Sequence, residues 1–536
     1  MKKIFTSLLV LAAFAIPSMA TDYKDVMTVS IDGTQTTPTE NTISIEDKGE
    51  SGYTLSLKNF VLSMGGEYLP VGTIVLENVS ATANGEVTTL KTNQEIKIAE
   101  GDDPNFAGQW MGPILSATGD LIPVNMVGEI RGDKFYTVIN INFSGMDIKV
   151  VFGNGGYQIT NSDFELFHKA TYTGTFNKKY ESDEPNAWHS FMSSTGTFSS
   201  MVSTTPHTFI SDEVRPGSTG TKSVKLTSGI VNAVIMKIPA NGTITTGQLK
   251  AGSATATDTG NNSFLDLTNE AVDGNGDPFY TLLNGQPDAL KVWVKYQQGE
   301  VNTTYPYATI SAIITDGTYY QDPENNKNYT NVVAKAKNDK IETNNFEWQE
   351  ITVPFDYASF AANNAETKAI LVTLSTNAQP GVASSSADNP DVLFIDDFSL
   401  VYNSKLTSLK VNGENVEGFN KDVFSYDLTA EGAISVDNIE AVSDGQGAYV
   451  TKSVEDAEGG VKVTITVTSN DLQTTNVYTL NIAGATTTGI NKVVTTTGKG
   501  NAAIYNVNGQ RVDNMSQKGL YIIRQADGKT VKVLKK

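Results

Sequence analysis

Apolar and polar positions alternate with period two along most of this chain, and the 3.6-residue spacing of an amphipathic helix is almost missing. Phe135, Thr137, Ile139, Ile141 and Phe143 mark one face of a strand. Met146, Ile148, Val150 and Phe152 mark the face of a strand returning after a Ser144-Gly145 loop. With further strands at Tyr53–Leu57 and Thr73–Val79, residues 21–153 read as an up-and-down barrel or a sandwich. A second piece, residues 159–403, carries strands such as Ser223–Thr227, Lys291–Tyr296, Ala308–Ile314, Ala369–Ser375 and Val392–Tyr402. Long polar loops, Asp316–Tyr329 and Asn377–Pro390, separate some of them.

A third piece, residues 404–483, is small. Its Val461, Val463, Ile465 and Val467 alternate with Lys462, Thr464, Thr466 and Thr468, as in a half-buried strand of an immunoglobulin-like sandwich. Gly484 to Gly489 reads as a linker. Residues 490–536 hold two hairpin signals, Asn508-Gly509 and Asp527-Gly528, each between short apolar runs. The fold class predicted is therefore all-β and multidomain.

Composition narrows the function. The 536 residues predict about three or four domains. A net charge of −20 argues against nucleic acid or an anionic membrane as partner. Cysteine is absent, which removes disulfides, thiol catalysis and Cys-ligated zinc. Lys2 and Lys3, the apolar run Ile4–Ile16 and Ser18-Met19-Ala20 form the pattern of a secretory signal peptide, residues 1–20, cleaved after Ala20. The run is shorter than the ~20 apolar residues a spanning helix needs. The expected location is outside the cell or on the outer-membrane surface, reached by Sec export.

Several segments resemble known families. Residues Ile504 to Val512, Lys518 to Ile523 and Asp527 to Lys536 resemble the C-terminal sorting domains of Bacteroidetes type IX secretion cargo, which implies export machinery as a partner. The runs Asn161-Ser162-Asp163-Phe164-Glu165, Pro185 to Phe191, Thr245 to Leu249, Pro287 to Tyr296, Tyr320 to Pro323 and Phe394 to Tyr402 resemble the carbohydrate metabolism domain of Bacteroidetes surface proteins. That resemblance implies a jelly roll like those of carbohydrate-binding modules. The first piece is similar to calycin-like domains, relatives of lipocalin barrels, through Met146 to Gly153. The third is similar to cadherin-like or immunoglobulin-like modules through Leu406 to Gly413, Gly418-Phe419, Tyr426 and Tyr478 to Leu480.

Sugar recognition needs flat aromatic faces ringed by polar groups. Trp188, Tyr305, Tyr307, Tyr319, Tyr320 and Tyr329 lie in or near polar loops and are candidates for stacking, with His189 as a hydrogen-bonding neighbour. Trp293 and Trp348 read as core. Asp396 and Asp397 would point to opposite faces of a regular strand, so they do not make a glycosidase pair by themselves. By analogy with jelly-roll modules, Asp163 or Glu165 with Asp396 or Asp397 are candidates for a structural calcium, and no other cofactor is expected. Asp273-Gly274-Asn275-Gly276-Asp277 reads as a tight turn, since the downstream glutamate of an EF-hand is missing. His168, His189 and His207 show no metal-ligand spacing. The function expected is non-catalytic binding of a glycan or polysaccharide. The alternatives are a structural or adhesive surface protein, a carrier of a small apolar ligand in the first barrel, and, last, a glycoside hydrolase.

Overall fold

The computed structural model describes residues 20–487, apart from residues 32–33, 37–38, 65–66, 85–86, 107, 118–120, 144, 154–155, 219, 234–235 and 472, together with the backbone of five short strands between residues 492 and 535. The expected signal peptide up to residue 19 lies outside the described residues. The chain divides into two units, one holding most of residues 1–152 and the other holding residues 153–536.

The first unit is a closed eight-stranded barrel. Its strands are β1 (Thr21–Ile31), β2 (Thr39–Asp47), β3 (Tyr53–Met64), β4 (Glu67–Asn84), β5 (Val87–Ile96), β6 (Ile122–Arg131), β7 (Lys134–Phe143) and β8 (Met146–Phe152). Each pairs with the next, and β8 pairs back to β1, so the sheet keeps no open edge. Directly opposed residues share a face. Met126 opposes Ile139, which opposes Val150. Gly128 opposes Thr137, which opposes Phe152. The predicted apolar face of β7 and β8 is thereby continuous with that of β6. Phe135 and Phe152 meet on it at 5.9 Å between ring centroids. Gly72 in β4 has φ +127°, and a Cβ there would lie 2.2 Å from the Ala99 carbonyl oxygen, so only glycine fits this bend.

In the second unit, residues 157–403 build a sandwich. One sheet runs in the order Thr208–Ser211, Ser223–Thr227, Val392–Val401, Ala289–Gln297, Gln349–Pro354. The other runs Thr243–Thr245, Ala369–Ser375, Ala308–Thr315, Val332–Ile341. Leu290, Val292, Val294 and Tyr296 are fully buried, as are Ile310, Ala312 and Ile314. A smaller sheet of Gln248–Ala251, Asn261–Leu265 and Tyr320–Asp322 covers part of the outer face of the second sheet. Leu265 and Tyr320 are buried there with Ile313 and Leu371, which is why Ala369–Ser375 reads as a nearly unbroken apolar run. The terminal segments are tied together: Gln158 Nε2 donates to Leu400 O at 2.7 Å, and Leu400 N donates to Gln158 Oε1 at 2.8 Å.

Two tryptophans depart from expectation. Trp293 lies between inward-facing Val292 and Val294 and so occupies the opposite face, half-buried, with the Arg215 guanidinium 5.4 Å above its ring. Trp348 is also half-buried rather than core, edge-on to Phe394 at 6.2 Å.

The third piece forms a sandwich of a three-stranded and a five-stranded sheet. Val461, Val463, Ile465 and Val467 all face its core, as their alternation predicts. Residues 484–487 of the expected linker are strand instead. The Thr475–Thr487 strand continues past Gly484 because Ala485, Thr486 and Thr487 pair in parallel with Gly432, Ala433 and Ile434. At the C-terminus, Ala503–Asn506 pairs with Arg511–Val512 and Gly519–Arg524 with Thr530–Lys535. Those are the pairings of the two hairpin signals, whose turn residues lie outside the described residues.

Tyr478 ties this sandwich together. Its hydroxyl donates to Lys421 O at 2.6 Å and accepts from Leu406 N at 3.1 Å. Tyr478→Phe leaves both backbone groups without that partner, and urea unfolding is expected to show a loss of about 1–3 kcal/mol.

Candidate functional site

The predicted stacking residues do not form one platform. Trp188 is fully buried, between Phe164 at 5.1 Å and Phe398 at 5.9 Å, with its indole N–H donating to Thr160 O. It joins the segment after residue 159 to the last strand and cannot reach a sugar. His189 is also fully buried: its backbone bridges to Thr245 and its ring lies against Phe279 at 4.6 Å. Tyr320 is buried too, its hydroxyl donating to Glu324 at 3.0 Å. Tyr319 is half-buried on Phe264, and Tyr329 is edge-on to Tyr320. Tyr305 is 39% exposed and Tyr307 half-buried, both in the loop before Ala308–Thr315. A loop polar in composition still supplies aromatic rings to the core when it folds back over a sheet.

The four carboxylates proposed for calcium do gather, but protein groups serve most of them. Asp397 has φ +43° and sits in a β-bulge. The bulge breaks the regular alternation, so Asp396 and Asp397 both turn to Arg215. Arg215 N donates to Asp396 Oδ2 at 2.8 Å, and its guanidinium pairs with Asp397. Glu165 accepts from the backbone of Thr221 and Lys222, each at 2.9 Å, and from the Thr221 hydroxyl. Arg215 supplies the positive charge expected of an ion. Asp163 Oδ1 and Asp396 Oδ1 remain buried without a hydrogen bond. Burial, with the charges of Glu165 and Asp397 added, pushes Asp163 up to about 6. Burial and the charge of Asp397 push Asp396 up to about 7. Without an ion, carboxyls raised in this way hold protons at mildly acid pH.

A groove of about 320 Å³ lies on the outer side of the Thr243–Thr245, Ala369–Ser375, Ala308–Thr315, Val332–Ile341 sheet, beside the small covering sheet. Residues two apart on a strand share a face, so Thr309 and Ser311, Lys337 and Asp339, and Thr373 and Ser375 project into it from three neighbouring strands. Asp322 is held from two sides, by Lys337 Nζ at 2.7 Å and Ser311 Oγ at 2.7 Å. Thr373 Oγ1 and Ser263 Oγ meet at 2.7 Å. The opposite wall is apolar and includes the half-buried rings of Phe191 and Phe198 with Met201 and Leu249. An aromatic wall facing a polar floor can hold a molecule with one apolar and one hydroxylated side. None of the tyrosines predicted to stack lines the groove. The alternation of Thr309, Ser311, Thr373 and Ser375 with buried apolar residues was the available sequence signal.

Two outcomes follow. Trp188→Ala is expected to cost about 3–5 kcal/mol in chemical unfolding, as a core truncation does. The raised carboxyls also set a pH dependence. The folded chain binds protons at Asp163 and Asp396 that the unfolded chain has already released, so their contribution falls as pH rises from about 4 through about 7. Urea midpoints measured across that range should fall less steeply for Asp396→Asn than for the parent.

No curated protein matches the chain. One family model does, over the first unit only, and it ends before the sandwich that carries the groove. Residues 19–155, where the eight strands close, match the calycin-like beta-barrel domain and are a domain of that kind.

Proposed function

We propose that this is a non-catalytic carbohydrate-binding protein, acting outside the cell, that takes a glycan chain in the groove of its sandwich. The observation that carries this reading is the pairing of two aromatic rings, Phe191 and Phe198, with a floor of Thr, Ser, Asp and Lys side chains on three strands. The C–H face of a pyranose ring fits an aromatic wall, and its hydroxyls fit a polar floor. Lys337 and Asp322 neutralise one another, so the floor offers fixed donors and acceptors. Lys337 and Ser311 hold the Asp322 carboxylate in a fixed position at the groove. Affinity per site is expected to be low, because each sugar hydroxyl gives up a well-made bond to water.

A glycan array of the mature full-length chain tests this. One glycan class should be retained, and Phe198→Ala and Lys337→Ala should each weaken it by about tenfold or more, equal to ~1.4 kcal/mol. Retention that both variants leave unchanged would place the site elsewhere. A blank array, with a small apolar ligand bound instead, would move the function to the barrel.

A further inference from the structure

Three side chains from residues 168–189 and a fourth from the turn at Asp273 converge within the sandwich, each with a buried atom that has no hydrogen-bond partner. His168, on the Phe167–Thr173 strand, stands directly opposite Glu184 on Lys179–Pro185, so the two share a face. His189 follows that strand and is held by its backbone pairing to Thr245. Asp273 opens the turn that ends at Asp277. His168 Nε2 lies 3.4 Å from Asp273 Oδ2 and 3.7 Å from Glu184 Oε2, and His189 Nε2 lies 3.5 Å from the same Asp273 oxygen. The side chains of Glu184, His189 and Asp273 are 0% exposed and that of His168 is 11% exposed. None of these four atoms has a hydrogen-bond partner.

We propose that His168, Glu184, His189 and Asp273 form a binding site for a divalent transition-metal ion, zinc by its donor set. Zinc bonds of 2.0–2.2 Å in a tetrahedron place neighbouring ligand atoms about 3.3–3.6 Å apart. The three contacts within and to the His168–Asp273 pair, at 3.4, 3.5 and 3.7 Å, lie at or just beyond that spacing, and an ion would draw Glu184 and His189 in around the pair. Two imidazoles with two carboxylates suit zinc, whereas calcium takes oxygen ligands only. The free atoms of three ligands are aimed by bonds on their other side. His168 Nδ1 donates to Asn186 Oδ1 at 3.1 Å, which leaves the Nε2 lone pair facing inward. Glu184 Oε1 accepts from Ser190 N at 2.8 Å and from the hydroxyls of Ser190 and Ser193. Asp273 Oδ1 accepts from Asn275 N and Asp277 N, each at 2.8 Å. A carboxylate oxygen of Asp277 also comes within 4.8 Å of the His168 and Asp273 ligand atoms, and Ala187 N holds this residue at 2.8 Å.

The competing account is a proton in place of the metal, with His168 as an imidazolium between the carboxylates. That proton can be donated to only one of the two buried oxygens at a time, and it gives His189 no partner. With four protein ligands and little solvent access the site is of the structural kind. It would brace the Phe167–Pro185 hairpin, the His189–Thr245 bridge and the Asp273–Asp277 turn against one another.

The test uses the full-length mature chain without a histidine tag, stripped by chelator and titrated with Zn²⁺, Ca²⁺ or Co²⁺. One zinc per chain, proton release on binding, and an intense visible spectrum of tetrahedral Co²⁺ are expected, with calcium failing to compete. His189→Gln should abolish the cobalt spectrum and weaken zinc binding about 100-fold or more, and Asn186→Ala about 10–100-fold. Parent protein that keeps no zinc after dialysis, or gives only the pale spectrum of octahedral cobalt, would overturn the proposal whether or not the variants fold. Zinc binding left unchanged by both His168→Gln and His189→Gln would overturn it as well, and the proton-held network would stand.

Discussion

The Ala369–Ser375 strand is the constraint on which the sandwich depends. It pairs with Ala308–Thr315 along its whole length, with Thr243–Thr245 at one end and with Thr281–Leu282 at the other. One of its faces closes the core between the two large sheets, and part of the other is covered by the small sheet. The covering reaches Thr373 through the Ser263 hydroxyl, and the groove opens beside that contact, over Thr373 and Ser375. A shift of one residue in this strand would turn its apolar set outward and its hydroxyls inward. Core, cover and groove are therefore consequences of one register.

Buried charge is the second theme. The chain is strongly acidic, and within the sandwich it handles carboxylates in three ways. Arg215 meets Asp396 and Asp397, and Lys337 meets Asp322. Asp163 and Asp396 rise toward neutrality where burial outweighs their partners. Glu184 is different: it is fully buried, and its Oε1 is held by the Ser190 backbone and by the Ser190 and Ser193 hydroxyls. A carboxylate kept ionised in a dry place needs a positive charge close by. The proposed metal ion would supply it.

Much of the fold was legible because strands advertise themselves locally. Alternation marked the barrel strands around Phe135 and Phe152 and the Val461–Val467 strand, and Asn-Gly and Asp-Gly marked two hairpins. The site was less legible. Trp188 and Tyr320 sit in polar sequence but fold inward, since their neighbours bend over a sheet face that still needs cover. Trp293 was read from its apolar neighbours, although period two places it on the other side from Val292 and Val294. The separation of Asp396 from Asp397 assumed a regular strand, and the bulge at Asp397 removed that assumption.

Sequence alone determined the all-β class and most strand faces. These depend on residues within a few positions of one another. Tertiary structure alone decided which faces meet. His168 and Glu184 lie 16 positions apart and Asp273 lies 105 beyond His168, yet the two carboxylates approach the His168 Nε2 atom to 3.7 and 3.4 Å. No spacing rule relates such residues, because strand pairing and loop closure, rather than the period of any single element, bring them together.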